Sequence, residues 1–289
     1  MTMTDTQAVA VAPSGRGLRD RRFRVLLHLC VGVIVVAAVI IASGFAQQAA
    51  DTTHLDAVNQ APSWEHWFGT DRLGRDMLAR TLVGLRLSLV VGTTAALMSS
   101  IIALTLAAAA VSLGRSVATA VDWLVDFVLA LPHLVLLILI AFAMGGGTHA
   151  VILAVGLSHW PTLTRVLRTQ AKQVIASDFV SVSRGLGTPR LTVIRRHLAP
   201  HLLPHFLVGT VLVFPHAILH EAALSFLGFG IDATQPAIGN ILAESMTLLS
   251  AGMWWLAVLP GVCLLAIVKL IDSTGENLRS VTDPRSYHL

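Results

Sequence analysis

Between Val25 and Ala46 the chain runs 22 residues without an acidic or basic side chain other than one histidine. An α-helix of about 20 apolar residues crosses the hydrocarbon core of a bilayer, and in lipid only helices and closed barrels satisfy their own backbone polar groups. A run of this length is too long for the apolar region of a secretory signal, about 7–15 residues. It therefore reads as a retained first span. Further apolar runs at about Leu85–Val111, Val117–Met144, His149–Leu163, Leu202–Leu227 and Trp254–Ile271 bring the expectation to six spans. Pro132 predicts a kink in the third, and the Trp254–Trp255 pair suits a membrane interface.

Composition agrees. Only 12% of residues are charged and 55% are hydrophobic, against about 25% charged in soluble domains. The net charge of +4 does not imply nucleic-acid binding, because the arginines cluster beside spans. Cys30 and Cys263 both lie in apolar runs, so a disulfide framework is excluded and small core residues are expected.

The charges set an orientation. Arg16, Arg19, Arg21, Arg22 and Arg24 precede the first span, and Arg279 and Arg285 follow the last. The longest polar interval of the second half, Arg165 to His205, carries Arg165, Arg168, Lys172, Arg184, Arg190, Arg195 and Arg196 against one acid, Asp178. Basic segments stay in the cytoplasm. Six spans then place both termini and this loop inside, and put Gln47 to Arg80 and Gly228 to Ser250 outside.

Within the basic loop, Phe179, Val182 and Leu186 fall at i, i+3, i+7, one face of a short helix. Gly185, Gly187 and Pro189 break it, and Leu191, Ile194 and Leu198 begin a second stripe. Two readings of this stripe remain open on pattern alone: a helix offered to a cytoplasmic partner, or apolar residues covering the neighbouring spans.

Four stretches carry a family resemblance. FGTDRLGRDMLARTLVGLRLSLVVG, from Phe68 to Gly92, resembles the GTD-x-LGRD segment of the second permease subunit of dipeptide, oligopeptide and nickel ABC importers. ALSFLGFG (Ala223–Gly230) and PAIGNILAES (Pro236–Ser245) are similar to its next signature, and Leu259–Arg285 resembles its last span and DPR tail. The resemblance implies an all-α, six-span integral membrane protein with the type I ABC importer permease fold. It also implies a homologous second permease, two ATP-binding subunits and an extracytoplasmic solute-binding protein as partners, with lipid around it. Residues 1–24 and 279–289 are then cytoplasmic tails, 25–83 the first span and outer loop, and 84–278 the transporter domain, with the loop 165–205 coupling to the ATPase. In that loop Gly187 and Pro200 take the family's glycine and proline. Its Glu-Ala-Ala is replaced by Ser181, Val182 and Ser183, which removes a charge that could pair with the ATPase. The implied coupling residues are Phe179, Ser181, Val182, Ser183, Leu186, Gly187 and Pro200.

No phosphate-cradling G-x-x-x-x-G-K-[ST] occurs, since Lys172 and Lys269 follow Ala171 and Val268. The chain is thus expected to catalyse nothing and to bind no cofactor, with ATP and magnesium on a partner. Short peptides are the expected cargo, and nickel or a metal chelate the alternative. His216 and His220, four apart in the fifth span, share a helix face beside Glu221. They are candidates for the substrate pathway and for holding a metal such as nickel; helix-stabilising hydrogen bonds are the competing reading. His197, His201 and His205 form another face, expected to pack at the interface. Asp122 and Asp126 are expected to pair with nearby arginines. Asp71, Arg72, Arg75 and Asp76 are expected to form a self-paired outer turn that also offers a docking surface. An ion-coupled carrier would instead need inverted repeats and paired broken helices with intramembrane acids; no repeat is visible.

Overall fold

A computed structural model of the chain describes residues 15–282, and these are helical with no strand beyond a single Thr70–Asp76 bridge. In order they form α1 (Gly15–Asp51), α2 (Met77–Ser112), α3 (Arg115–Ala130), α4 (His133–Ala143), α5 (Gly147–Ser158) and α6 (Trp160–Ile175). Then come α7 (Asp178–Gly185), α8 (Arg190–Val193), a π-turn (Ile194–Leu198), α9 (Ala199–Phe226), α10 (Ile238–Leu249) and α11 (Trp255–Thr282). The DPR segment at Asp283–Arg285 lies outside the described residues.

Five of the helical stretches are long and apolar enough to cross a membrane, and six if α3 and α4 together make one span. That pair departs most from expectation. The kink predicted at Pro132 is a 97° break. Proline lacks the N–H that would continue the ladder and clashes with the preceding turn, and here Pro132 starts a new helix rather than bending an old one. The fourth span has a one-residue junction at His159, where α5 ends and α6 begins with Pro161 in its first turn. It runs on to Ile175. Arg165, Arg168 and Lys172, read from sequence as the start of a loop, are therefore an extension of that helix. Likewise the second span starts at Met77, not near Leu85, and the outer interval before Trp254 contains a helix, α10, too short to cross.

Helix α2 is the hub. It packs against α1, α5, α6 and α9. Its buried face carries Ala95, Ala96, Ser99, Ser100, Ala103, Ala107 and Ala110. Lipid removes most of the hydrophobic drive between helices, so small side chains that let backbones close up supply the packing. Glycines complete this pattern from both sides. A Cβ on Gly84 would meet the Pro236 carbonyl oxygen at 2.3 Å, and one on Gly239 the Ala222 carbonyl oxygen at 2.2 Å. The large apolar residues of α1, among them Val33, Ile34, Ile41 and Phe45, face outward, as lipid contact requires. Cys30 is exposed on this helix, and only Cys263 is partly enclosed, which corrects the expectation of two core cysteines.

At one end, the basic end, Ala171 and Val174 of α6 meet Val180, Val193, Leu198 and Leu202 in one apolar cluster, closed by Leu104, Ala108 and Val111 of α2. Two ion pairs, Asp122 with Arg168 and Asp126 with Arg165, join α3 to α6 nearby. At the opposite end the loop before α2 and the helix α10 close over the bundle.

Because the obstruction at Gly239 is backbone, nothing can rotate away. Gly239→Ala is expected to destabilise the fold by about 1–3 kcal/mol, read as a lowered unfolding midpoint of the detergent-solubilised protein.

Candidate functional site: an exposed apolar helix and a charged clamp

The exposed structure at the basic end is built around α7. Phe179 is 50% exposed, Val182 61% and Leu186 82%. The stripe read from sequence is thus an outward apolar face, while Val180 on the other side is fully buried. The second stripe divides: Leu191 is exposed, but Leu198 is buried and Ile194 packs against the inner cluster. Its role is anchorage.

The turn after α7 is closed by two bonds. The Gly187 N–H donates to the Arg184 carbonyl at 3.0 Å and the Thr188 N–H to the Ser183 carbonyl at 3.2 Å. This pairing is a Schellman closure, which needs a left-handed residue at its centre. Gly187 supplies it with φ of 81°. Space is not the reason, since a Cβ there would meet nothing within 4 Å. The serines that stand in for Glu-Ala-Ala acquire a use. Ser183 Oγ donates to Thr188 Oγ1 at 3.0 Å, across the turn, and Ser181 Oγ donates to the Asp178 carbonyl at 2.9 Å. Pro200 follows the π-turn, in which the Ala199 N–H reaches back to the Ile194 carbonyl; Pro200 has no N–H with which to restore the ordinary ladder.

At the opposite end sits a feature the sequence reading missed. Arg80, counted there as a loop residue, lies inside α2 with 1% of its surface exposed. Its Nη1 donates to Asp71 Oδ2 at 2.6 Å and to Glu244 Oε2 at 2.9 Å. Arg75 Nε also donates to Asp71 Oδ2, at 2.7 Å. The other Asp71 oxygen accepts the backbone N–H groups of Leu73 and Arg75, both at 2.9 Å. Asp76 caps α2 by accepting from the Ala79 N–H at 2.8 Å and also holds His66 Nδ1 at 2.8 Å. Arg72 bonds Thr247. The GTD-x-LGRD segment is therefore a charged clamp joining the loop before α2, α2 itself and α10. The glycines fit the same plan: Gly74 has φ of 71°, and a Cβ on it would strike the His54 carbonyl oxygen at 1.8 Å. The signal available in the sequence was an arginine inside the apolar run after LGRD, with an acid in the later AES segment.

Burial pushes the Asp71 carboxyl upward, but the Arg75 N–H, the Arg80 charge, the Leu73 N–H and the Arg75 side chain outweigh it, leaving the group below its ordinary 3.8.

The intramembrane candidates separate. His216 is exposed and its Nδ1 donates to the Leu212 carbonyl at 3.1 Å. The His220 ring lies against those of His133 and His159, with ring centroids 4.7 and 4.8 Å distant. These three histidines, His133, His159 and His220, each bring a ring nitrogen within 4.8 Å of the others. Glu221 is wholly buried and accepts Ser88 Oγ at 2.5 Å and Ser225 Oγ at 3.0 Å, which sets it in the contact between α2 and α9. His205 Nδ1 donates to the His201 carbonyl at 3.2 Å, and the His197 ring lies 5.6 Å from that of Phe179.

A bundle of membrane helices with a stiff apolar helix presented at one end and no nucleotide-binding loop has the form of a transport permease. A family model described as binding-protein-dependent transport system inner membrane component matches residues 83–278. The chain is 34% identical over 275 residues to a protein of Brucella abortus provisionally named a peptide transport system permease, covering 95% of this chain and 92% of that one. It is 32% identical over 227 residues to the dipeptide transport system permease protein DppC of Bacillus subtilis, covering 78% and 71%. A solved structure of the MetNI methionine ABC transporter in inward-facing conformations matches with a TM-score of 0.58 at 18% identity, covering 72% of this chain and 96% of that one. That likeness speaks for the type I importer fold alone. The chain belongs to the inner membrane component family of binding-protein-dependent importers, and is a multi-pass membrane permease.

Removing Asp71 leaves a buried guanidinium half-compensated. Asp71→Ala should cost about 3 kcal/mol of stability. The depressed carboxyl also fixes an acid limit: its stabilising contribution is complete above the ordinary value of 3.8 and is lost as pH falls through the lower folded value. Unfolding midpoints followed from neutral to strongly acid pH should fall less in Asp71→Asn than in the wild type.

Proposed function

We propose that this chain is one of two homologous permease subunits of an importer of short peptides in the cytoplasmic membrane. Two ATP-binding subunits drive it, an extracytoplasmic solute-binding protein feeds it, and both of its termini are cytoplasmic. The observation that carries this reading is the apolar face of α7, exposed at Phe179, Val182 and Leu186 and rigidly seated from behind by Val180. An exposed apolar face on a short, well-fastened helix suits a cleft in another protein. The basic residues of α6 to the π-turn support a cytoplasmic position for it. The names of the Brucella and Bacillus relatives support peptides over nickel as cargo.

The mechanism follows from stiffness. ATP and magnesium bind the partner subunits, and their closure moves whatever is gripped on α7. Helix α7 shares one apolar cluster with α6, the π-turn and α9, so displacement passes to two spans rather than dissipating in a loop. The exchange between inward-open and outward-open arrangements is then a population shift biased by nucleotide. The buried clamp at the other end keeps α2 and α10 together while the basic end moves.

In vesicles holding the complete transporter, Leu186→Asp is expected to abolish ATP-dependent dipeptide uptake and to lose cross-linking of a Val182→Cys reporter to the ATPase, at unchanged protein level. Gly187→Ala, which must hold a left-handed residue at about 1–2 kcal/mol of strain, should reduce uptake partially. Uptake insensitive to both changes, or a Leu186→Cys label accessible only from outside, would reject the proposal.

A further inference from the structure

The bend of the third span and the one-residue junction within the fourth each carry a histidine. His133 opens α4 directly after the 97° bend, and His159 is the junction between α5 and α6. The third member, His220, lies inside α9. The three rings are mutually edge-on, with centroids 4.7, 4.7 and 4.8 Å apart. One ring nitrogen from each can be chosen so that all three lie within 4.8 Å of one another.

The hydrogen bonds identify which nitrogens are available. His159 Nδ1 donates to the Val155 carbonyl at 2.9 Å, and His220 Nδ1 donates to the His216 carbonyl at 2.7 Å. A neutral imidazole that donates from Nδ1 carries its lone pair on Nε2. The Nε2 atoms of His133 and His159 are buried and have no hydrogen-bond partner. Buried polar atoms are normally satisfied. Here two lack a partner, side by side, in a cluster whose third member also has its Nδ1 proton tied to a backbone carbonyl. Backbone anchorage of one nitrogen with the other left as a free base is the arrangement that orients metal-bound histidines.

We propose that His133, His159 and His220 form a binding site for a divalent transition-metal ion of the zinc or nickel type, held through Nε2 of His159 and His220 and a ring nitrogen of His133. Imidazole ligands suit such ions. At metal–nitrogen distances near 2.1 Å, tetrahedral ligand atoms lie about 3.4 Å apart, so the three nitrogens need only a modest inward rotation. Three protein ligands leave a coordination position for water or for an amine or carboxylate of a passing molecule. The ligands come from three spans, so a bound ion would tie the bent third span to the fourth and fifth. The site is independent of which cargo the transporter carries.

The test is metal binding to the full chain in nanodiscs, with zinc sulfate or nickel chloride as the probe. Isothermal titration of the full chain in nanodiscs should give one ion per chain, with affinity falling at least 100-fold in His159→Gln and less than threefold in His216→Gln. Unfolding midpoints of both variants establish that they fold. No binding at one ion per chain, metal binding that survives substitution of all three histidines, or loss of binding in His216→Gln would each overturn the proposal.

Discussion

A guanidinium hidden from solvent has few places to go, and the position of Arg80 organises one whole end of this protein. It reaches Asp71 across nine residues and Glu244 across 164. The loop before α2, the start of α2 and the distant α10 are thereby fixed to one point. Taking a charge out of water is expensive unless its partners are well placed. Here they are, because Asp71 is itself held by two backbone N–H groups and by Arg75. The stretch between Gly69 and Arg80 contributes a turn glycine, a helix cap and three members of this network. That explains why its residues come as a unit.

The two ends of the bundle solve different problems. One is closed by charge, with side chains that have little freedom. The other is closed by apolar packing, with α7 fixed underneath and open on top. Between them, α2 runs the length of the molecule on alanine, serine and glycine contacts. A helix packed through such small residues has little side-chain slack, so strain applied at one end is felt along it. The union of α7 with α6 and α9 in one apolar cluster makes the same point at the basic end.

Much of this was legible in the sequence, for local reasons. Apolar runs of span length announce themselves, and the spacing of Phe179, Val182 and Leu186 corresponds to the face that is exposed. Pro132 marked the third span as interrupted. What stayed hidden was non-local. The size of the bend depends on what α4 packs against, not on the proline alone. The helical continuation through Arg165, Arg168 and Lys172 was masked by its charge, although Asp122 and Asp126 wait on α3 to receive two of those arginines. The gathering of His220 with His133 and His159 needs three spans to be placed before it exists at all. Each of those two histidines does stand beside a helix-breaking signal, Pro132 in one case and Pro161 in the other, and that adjacency was the available clue.

The π-turn at Ile194–Leu198 has a geometric meaning of its own. A π-turn inserts one residue into the helical count, so the faces before and after it are offset by about 100°, the angular step of one residue. Leu191 looks outward on one side of that offset while Leu198 and Leu202 look inward on the other. The chain therefore contains a built-in phase correction between the piece that carries the exposed apolar face and the piece that lines up with the bundle. Its register is a dial: excising a single residue there would turn the presented surface by roughly a quarter of a revolution without altering any of its side chains.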